Sequence, residues 1–138
     1  MTEDIKKESV FEQYKKEIEK DTELDRIILE EKQLKLPAIK AKWVARLMNH
    51  KKEIDKLWEL YNDAISNVTK KIIAESPVKI SNKVAEDSAK DHELIIKIKK
   101  EIKDQERIVE YLEKIEKVFS SMSYDISNLI SLIKLETN

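Results

Sequence analysis

Glycine is absent from this sequence, and so is cysteine. Glycine is the default residue where the backbone needs φ > 0 or must approach a ligand closely. Without it there is no P-loop, no dinucleotide-binding fingerprint and no nucleophile elbow, since each needs glycine at fixed positions. The favoured hairpin turns also become hard to build. Without cysteine there are no disulfides and no thiolate metal sites, which fits a reducing cytosol. Prolines number only two, Pro37 and Pro77, and aromatic residues only 6%. No apolar run approaches the roughly 18 residues of a membrane-spanning helix. The first twenty residues carry charges throughout and do not read as a signal peptide. The expectation is a soluble, cytoplasmic, all-α protein of long helices joined by short polar connections.

What is present is charge, 40% of the residues, and 41% hydrophobic residues at helical spacing. Phe11, Tyr14 and Ile18 mark a first helix within Ile5 to Lys20. Asp21 or Thr22 is placed to cap a second helix through Leu24, Ile27, Ile28 and Leu34. Pro37 should end that helix at about Lys35 and open the next. From Pro37 to about Glu75, the positions Ile54, Trp58, Tyr61, Ile65, Val68 and Ile72 alternate in steps of four and three. Val44 and Leu47 extend this coiled-coil-like seam, and Lys51 interrupts it. Ser76-Pro77 ends the helix, and Val78–Ile80 reads as a short connection or extended piece. A last helix runs from about Glu86 or Lys90 to Leu135. Its seam is Ile108, Leu112, Ile115, Phe119, Met122, Ile126, Leu129 and Ile133. Ile95, Ile98 and Ile102 lie upstream on a slightly offset line, with Gln105 near the switch. Residues 1–83 thus form an N-terminal helical region with a basic helix, and residues 84–138 a long C-terminal helix, within a single domain.

The net charge of −1 conceals a pattern. Residues 1–31 hold 6 Lys/Arg against 11 Asp/Glu, and residues 32–56 hold 8 against only Glu53 and Asp55. One short segment is therefore strongly basic. Lys42, Arg46, Lys52, Lys56, Lys70 and Lys71 fall more than about 90° from Trp58 on a helical wheel. They form a cationic strip opposite the seam, interrupted by Glu53, Glu59 and Asp63, and either a solvated face or a phosphate-contacting surface. Trp43 lies on the flank of the seam, where it serves as buried core or stacks on a nucleobase.

A continuous last helix would be about 70 Å long, against a radius of gyration of about 14 Å for a compact domain of this size. Its seam then needs either a break near Ser120-Ser121 or cover from other subunits. Between Val118 and Leu135 only Asp125 and Lys134 are charged. This nearly uncharged stretch predicts an oligomer interface through Phe119, Met122, Ile126, Leu129, Ile130 and Ile133. Burial inside one chain is the other reading.

Chemistry of a site is hard to find. His50 and His92 have no metal-ligand spacing and read as surface residues. Carboxylates mostly sit near lysines at helical spacing, as in Glu110–Lys114 and Glu113–Lys117. No nucleophile has a base beside it. The expectation is a protein without catalytic residues, metal or cofactor.

The stretch Leu29 to Glu53 carries L-x-x-E, then Pro37-Ala38-Ile39-Lys40-Ala41-Lys42-Trp43, and Lys51-Lys52-Glu53. With the acidic segment before it and Leu112-Glu113 in a long last helix, this order of parts resembles the UvsY family of phage recombination mediators, over about residues 22–135. The basic pair that the family carries late in its first long helix would fall near Ser66 to Thr69, just before Lys70 and Lys71. The resemblance implies a ring of six or seven copies, in the cytoplasm of a phage-infected cell. It implies binding of single-stranded DNA covered by a phage single-strand-binding protein, and loading of a RecA-like recombinase. The DNA-contacting candidates are Lys42, Trp43, Arg46, Lys52, Lys56, Lys70 and Lys71. The alternative is a structural coiled-coil protein of phage assembly or scaffolding that does not bind DNA.

Overall fold

The computed structural model describes residues 9–137, and they are all-α. The order is α1 (Val10–Asp21), a 3₁₀ turn (Arg26–Ile28), α2 (Leu29–Glu75), α3 (Asn82–Ala89) and α4 (Glu93–Thr137). Among the described residues no strand forms, so Val78–Ile80 is connection only. The part of the expected first helix before Ser9 lies outside them.

Helix ends show how the chain manages without glycine. No described residue has positive φ. Ser9 caps α1 by accepting from the Glu12 N–H at 3.1 Å, and Ser81 caps α3 by accepting from the Val84 N–H at 3.3 Å. At the C-terminal end of α1, Thr22 stays right-handed (φ −98°, ψ −2°). Its N–H and its hydroxyl both donate to the Ile18 carbonyl, at 2.9 and 2.8 Å. This replaces the left-handed cap for which glycine is favoured. Thr22 therefore closes the first helix instead of opening the second. Asp25 does the latter, its Oδ1 accepting from the Ile27 N–H at 3.0 Å.

Pro37 does not break the chain into two helices, contrary to the expectation from sequence. It lies inside the 47-residue α2. A proline in a helix interior costs about 3 kcal/mol. Leu29, Leu36 and Trp43 sit seven residues apart on both sides of it, and all three are buried. Each such side chain gains roughly 1.5–3 kcal/mol on burial, so packing outweighs the local penalty. Not all apolar residues before Pro37 are buried, however. Ile27 is 90% exposed and Leu34 83%.

The chain divides into two compact units. The first combines the described residues up to Arg46 with those from Tyr111 on, and the second is Leu47–Glu110. Both draw on the N-terminal and the C-terminal halves of the sequence. In the first unit, Ile18 of α1, Leu36 and Trp43 of α2, and Leu112, Phe119, Met122 and Ile126 of α4 are buried. Phe11 meets Tyr111 at 4.8 Å between ring centroids, and Trp43 stacks on Phe119 at 6.4 Å.

In the second unit, Leu57, Ala64 and Val68 of α2 pack with Ala89 of α3 and Ile95, Ile98 and Ile102 of α4. The buried line on α2 is rotated from the expected seam. Leu57 and Ala64 form its centre, while Trp58 is 38% exposed. Opposite the place where Lys51 seemed to interrupt the seam, His50 Nδ1 lies 2.6 Å from Gln105 Oε1. His50, the neighbour of Lys51 in sequence, thus meets the residue at the switch of the α4 seam. His50 is half-buried rather than a surface residue. His92 is exposed, and its Nδ1 accepts from the Leu94 N–H at the start of α4.

The 45-residue α4 runs through Ser120-Ser121 without interruption. Its seam is nonetheless largely covered inside the chain, in two pieces, one per unit. Neither a break nor covering subunits is needed for these positions, and burial inside one chain, the other reading of the sequence, accounts for them.

Two substitutions test this account. Pro37→Ala restores a backbone donor within α2 and should raise stability by about 1–3 kcal/mol in urea unfolding. A loss of stability would mean that the chain needs a bend there. Thr69 is buried, and its hydroxyl has no hydrogen-bond partner among the described residues. Thr69→Val should therefore gain about 1 kcal/mol instead of losing it.

Candidate nucleic-acid interface

The seven cationic and aromatic candidates fall into two groups. Lys42, Trp43 and Arg46 belong to the first unit and are engaged there by α1. Glu17 and Asp21 lie one turn apart on α1 and face these residues. Lys42 Nζ bonds to Glu17 Oε1 at 3.1 Å and to Asp21 Oδ2 at 2.6 Å. Arg46 pairs with Glu17 Oε2. The indole N–H of Trp43 donates to Asp21 Oδ2 at 2.8 Å. Arg46 also lies over the rings of Trp43 and Tyr14, 4.7 and 5.1 Å from their centroids, and Tyr14 meets Trp43 edge-on at 5.3 Å.

Trp43 is only 3% exposed. Its ring is closed in by Tyr14, Phe119 and Arg46, so no face is open to a nucleobase. Of the two roles expected for it, the structure gives it that of buried core. Lys42 and Arg46 are half-buried, and their charge is matched by the acidic helix of the same chain. Arg46 holds the Glu17 carboxyl below the ordinary glutamate range, against the opposing effect of partial burial and with Lys42 adding to it. Burial raises the Tyr14 phenol, and the nearby Arg46 works in the opposite direction.

Lys52, Lys56, Lys70 and Lys71 form the second group. They stand on the exposed side of α2 in the second unit. Among the described residues, no carboxylate lies within ion-pairing distance of any of them. This face is therefore lysine-rich with no ion pair closed on it, although Glu53, Glu59 and Asp63 interrupt it.

The six expected interface residues of α4 also divide. Phe119, Met122 and Ile126 are buried against the rest of the first unit, with Ile126 at 0% exposure. They are core within one chain, which corrects their reading as residues held for other subunits. The low charge of this stretch reflects intrachain packing at these three positions. Ile130 and Ile133 are half-buried and Leu129 is exposed. With Leu24, Leu29 and Leu132, Leu129 and Ile133 line an open apolar pocket of about 230 Å³, edged by Asp25 and Glu136.

Sequence reasoning missed a further lysine group on α4. Lys97, Lys99, Lys100 and Lys103 are exposed. The spacing of Ile96, Lys99, Lys100 and Lys103 (i, i+3, i+4, i+7) was the available signal. Attention to the net-basic segment 32–56 hid it, because Glu93, Glu101, Asp104 and Glu106 cancel the charge of this helix in a linear count.

Among the described residues there is no group of His, Asp or Glu side chains placed to hold a metal ion, and no helix long and apolar enough to cross a membrane. Comparison with protein-family models, with curated proteins and with solved structures finds no match.

The Glu17 pair carries a pH dependence of defined sign. A carboxyl whose folded pKa is lowered contributes stability that is complete above the ordinary glutamate range and is lost as pH falls through the lowered value. Urea midpoints measured from pH 7 down to pH 3 should therefore fall more steeply in the parent than in Glu17→Gln. Equal slopes would show that the pair adds nothing to the docking of α1.

Proposed function

We propose that this protein is a single-stranded-DNA-binding recombination mediator, acting as a homo-oligomer that helps load a RecA-like recombinase onto DNA covered by single-strand-binding protein. The observation that supports it most is the lysine-rich face of α2, where Lys52, Lys56, Lys70 and Lys71 are exposed and held by no ion pair among the described residues, in a protein whose net charge is only −1. Lys42, Trp43 and Arg46, joined to α1, position this helix instead of contacting DNA. The order of sequence parts shared with the UvsY family supplies the biological role. Four lysines per copy bind a polyanion weakly, but copies joined in an oligomer act together, and avidity can add a factor of 10²–10⁴.

Self-association has its support in the first unit. Ile27, Leu34, Leu132 and Leu135 are exposed there, and Leu132 lines the apolar pocket. The same observation favours a second reading, a coiled-coil assembly protein that oligomerises without binding DNA. The two readings part at the nucleic acid.

Binding of a fluorescent oligo(dT) as a function of salt decides between them. If four lysines contact phosphates, log K should fall against log salt with a slope of about −3 per copy. Lys70→Glu with Lys71→Glu should lower affinity and make that slope shallower by about 1.4. An oligomer by light scattering that shows no binding even at low salt would leave only the assembly reading.

A further inference from the structure

Within the second unit, Tyr61 of α2, Lys90 beyond the end of α3, and Ile96, Lys99, Lys100 and Lys103 of α4 line an open cleft of about 320 Å³. On a helical wheel, Ile96, Lys99, Lys100 and Lys103 occupy an arc of about 100°. Glu93, Glu101 and Asp104 fall on the other flank of α4, and Glu106 and Glu110 follow beyond the lysines. Among the described residues, Lys99, Lys100 and Lys103 have no carboxylate within ion-pairing distance. Lys90 is 3.8 Å from Asp87, and both are exposed.

The α2 side of the cleft is Tyr61. Trp58, which does not itself line the cleft, meets Tyr61 edge-on, 5.3 Å between centroids. Trp58 is the accessible one of the two tryptophans, since Trp43 is buried. Asp55 and Glu59 flank Trp58 on its own helix, so anionic groups are disfavoured on that side and favoured on the α4 side.

We infer that this cleft is a binding surface for unpaired nucleotides, with phosphates on Lys99, Lys100 and Lys103 and a splayed base against Trp58 and Tyr61. A lysine row alone attracts single and double strands alike through their charge. Stacking on an aromatic side chain needs a base whose face is free, which a duplex does not offer. The outer lysine row of α2 lies on the far side of that helix from Trp58. It supplies general attraction, whereas the cleft supplies preference for the unpaired strand. This inference rests on the proposed binding of single-stranded DNA and adds the residues that select it.

The test measures affinity of the full chain for oligo(dT) and for a duplex of equal length, with tryptophan fluorescence. Trp58→Ala should weaken oligo(dT) binding at least about five-fold and leave duplex binding unchanged. Oligo(dT) should quench the parent's fluorescence, and Trp58→Phe should abolish that quenching. Lys99→Glu with Lys100→Glu and Lys103→Glu, all exposed positions, should remove the preference for the single strand, with helicity by circular dichroism unchanged. The inference is overturned if these variants bind oligo(dT) like the parent while charge reversal at Lys52, Lys56, Lys70 and Lys71 abolishes binding. In that case the proposed function survives. A parent that binds no DNA at low salt overturns both. Binding of an acidic polypeptide, with no response to oligo(dT), would reassign the cleft to a protein partner.

Discussion

The enclosure of Trp43 is the contact on which the first unit depends. An indole has a large apolar surface and one N–H that needs an acceptor when buried. Asp21 accepts that N–H and Lys42 at once, while Arg46 covers the ring and pairs with Glu17. A single turn of α1 thus satisfies the indole, an ammonium and a guanidinium together. The polar contacts fix the position of α1 on α2, and the aromatic contacts to Tyr14 and Phe119 seat it. Neither set would suffice alone. Pairs this accessible to solvent are individually weak, whereas a network around a buried ring loses less freedom per contact.

Much of the fold could be read from the sequence, and the reasons for the failures are specific. The all-α class followed from the missing glycine and the apolar spacing. The α4 seam from Ile108 to Ile126 was legible because its period is regular. Pro37 misled because local propensity was weighed without the burial of Leu29, Leu36 and Trp43, which only the folded chain reveals. The α2 seam was misplaced by part of a turn. Trp58 looks like a core residue by size and spacing, but Leu57 and Ala64 take the inner positions. Ile27 and Leu34, apolar positions along the predicted second helix, stand in solvent.

For the candidate site, charge composition located a basic segment but not its availability. Lys42 and Arg46 looked the same as Lys52 and Lys56 in sequence. Only the fold shows that the acidic α1 faces the first two and leaves the others open. Part of the acidic segment, Glu17 and Asp21, thus finds its counterpart in part of the basic one, Lys42 and Arg46, within one chain. The reverse error occurred on α4, where neighbouring carboxylates cancelled Lys99, Lys100 and Lys103 in a running sum although they occupy a different flank of the helix.

This division of cations has a consequence for how the protein can act. Charges joined to α1 hold the fold and are screened from any passing polyanion. Lys52, Lys56, Lys70, Lys71, Lys99, Lys100 and Lys103 have no carboxylate within ion-pairing distance among the described residues, so their interaction with an anion costs no broken ion pair. The folded helices fix these lysines before any ligand arrives, which limits the ordering entropy of binding. A surface of this kind gives weak, reversible contacts that salt attenuates. Such contacts suit a protein that must hold a strand while another protein displaces it. Tight sequence-specific contacts would oppose that exchange, and the lysine-rich, glycine-free helices here offer no rigid donor pattern for reading base edges.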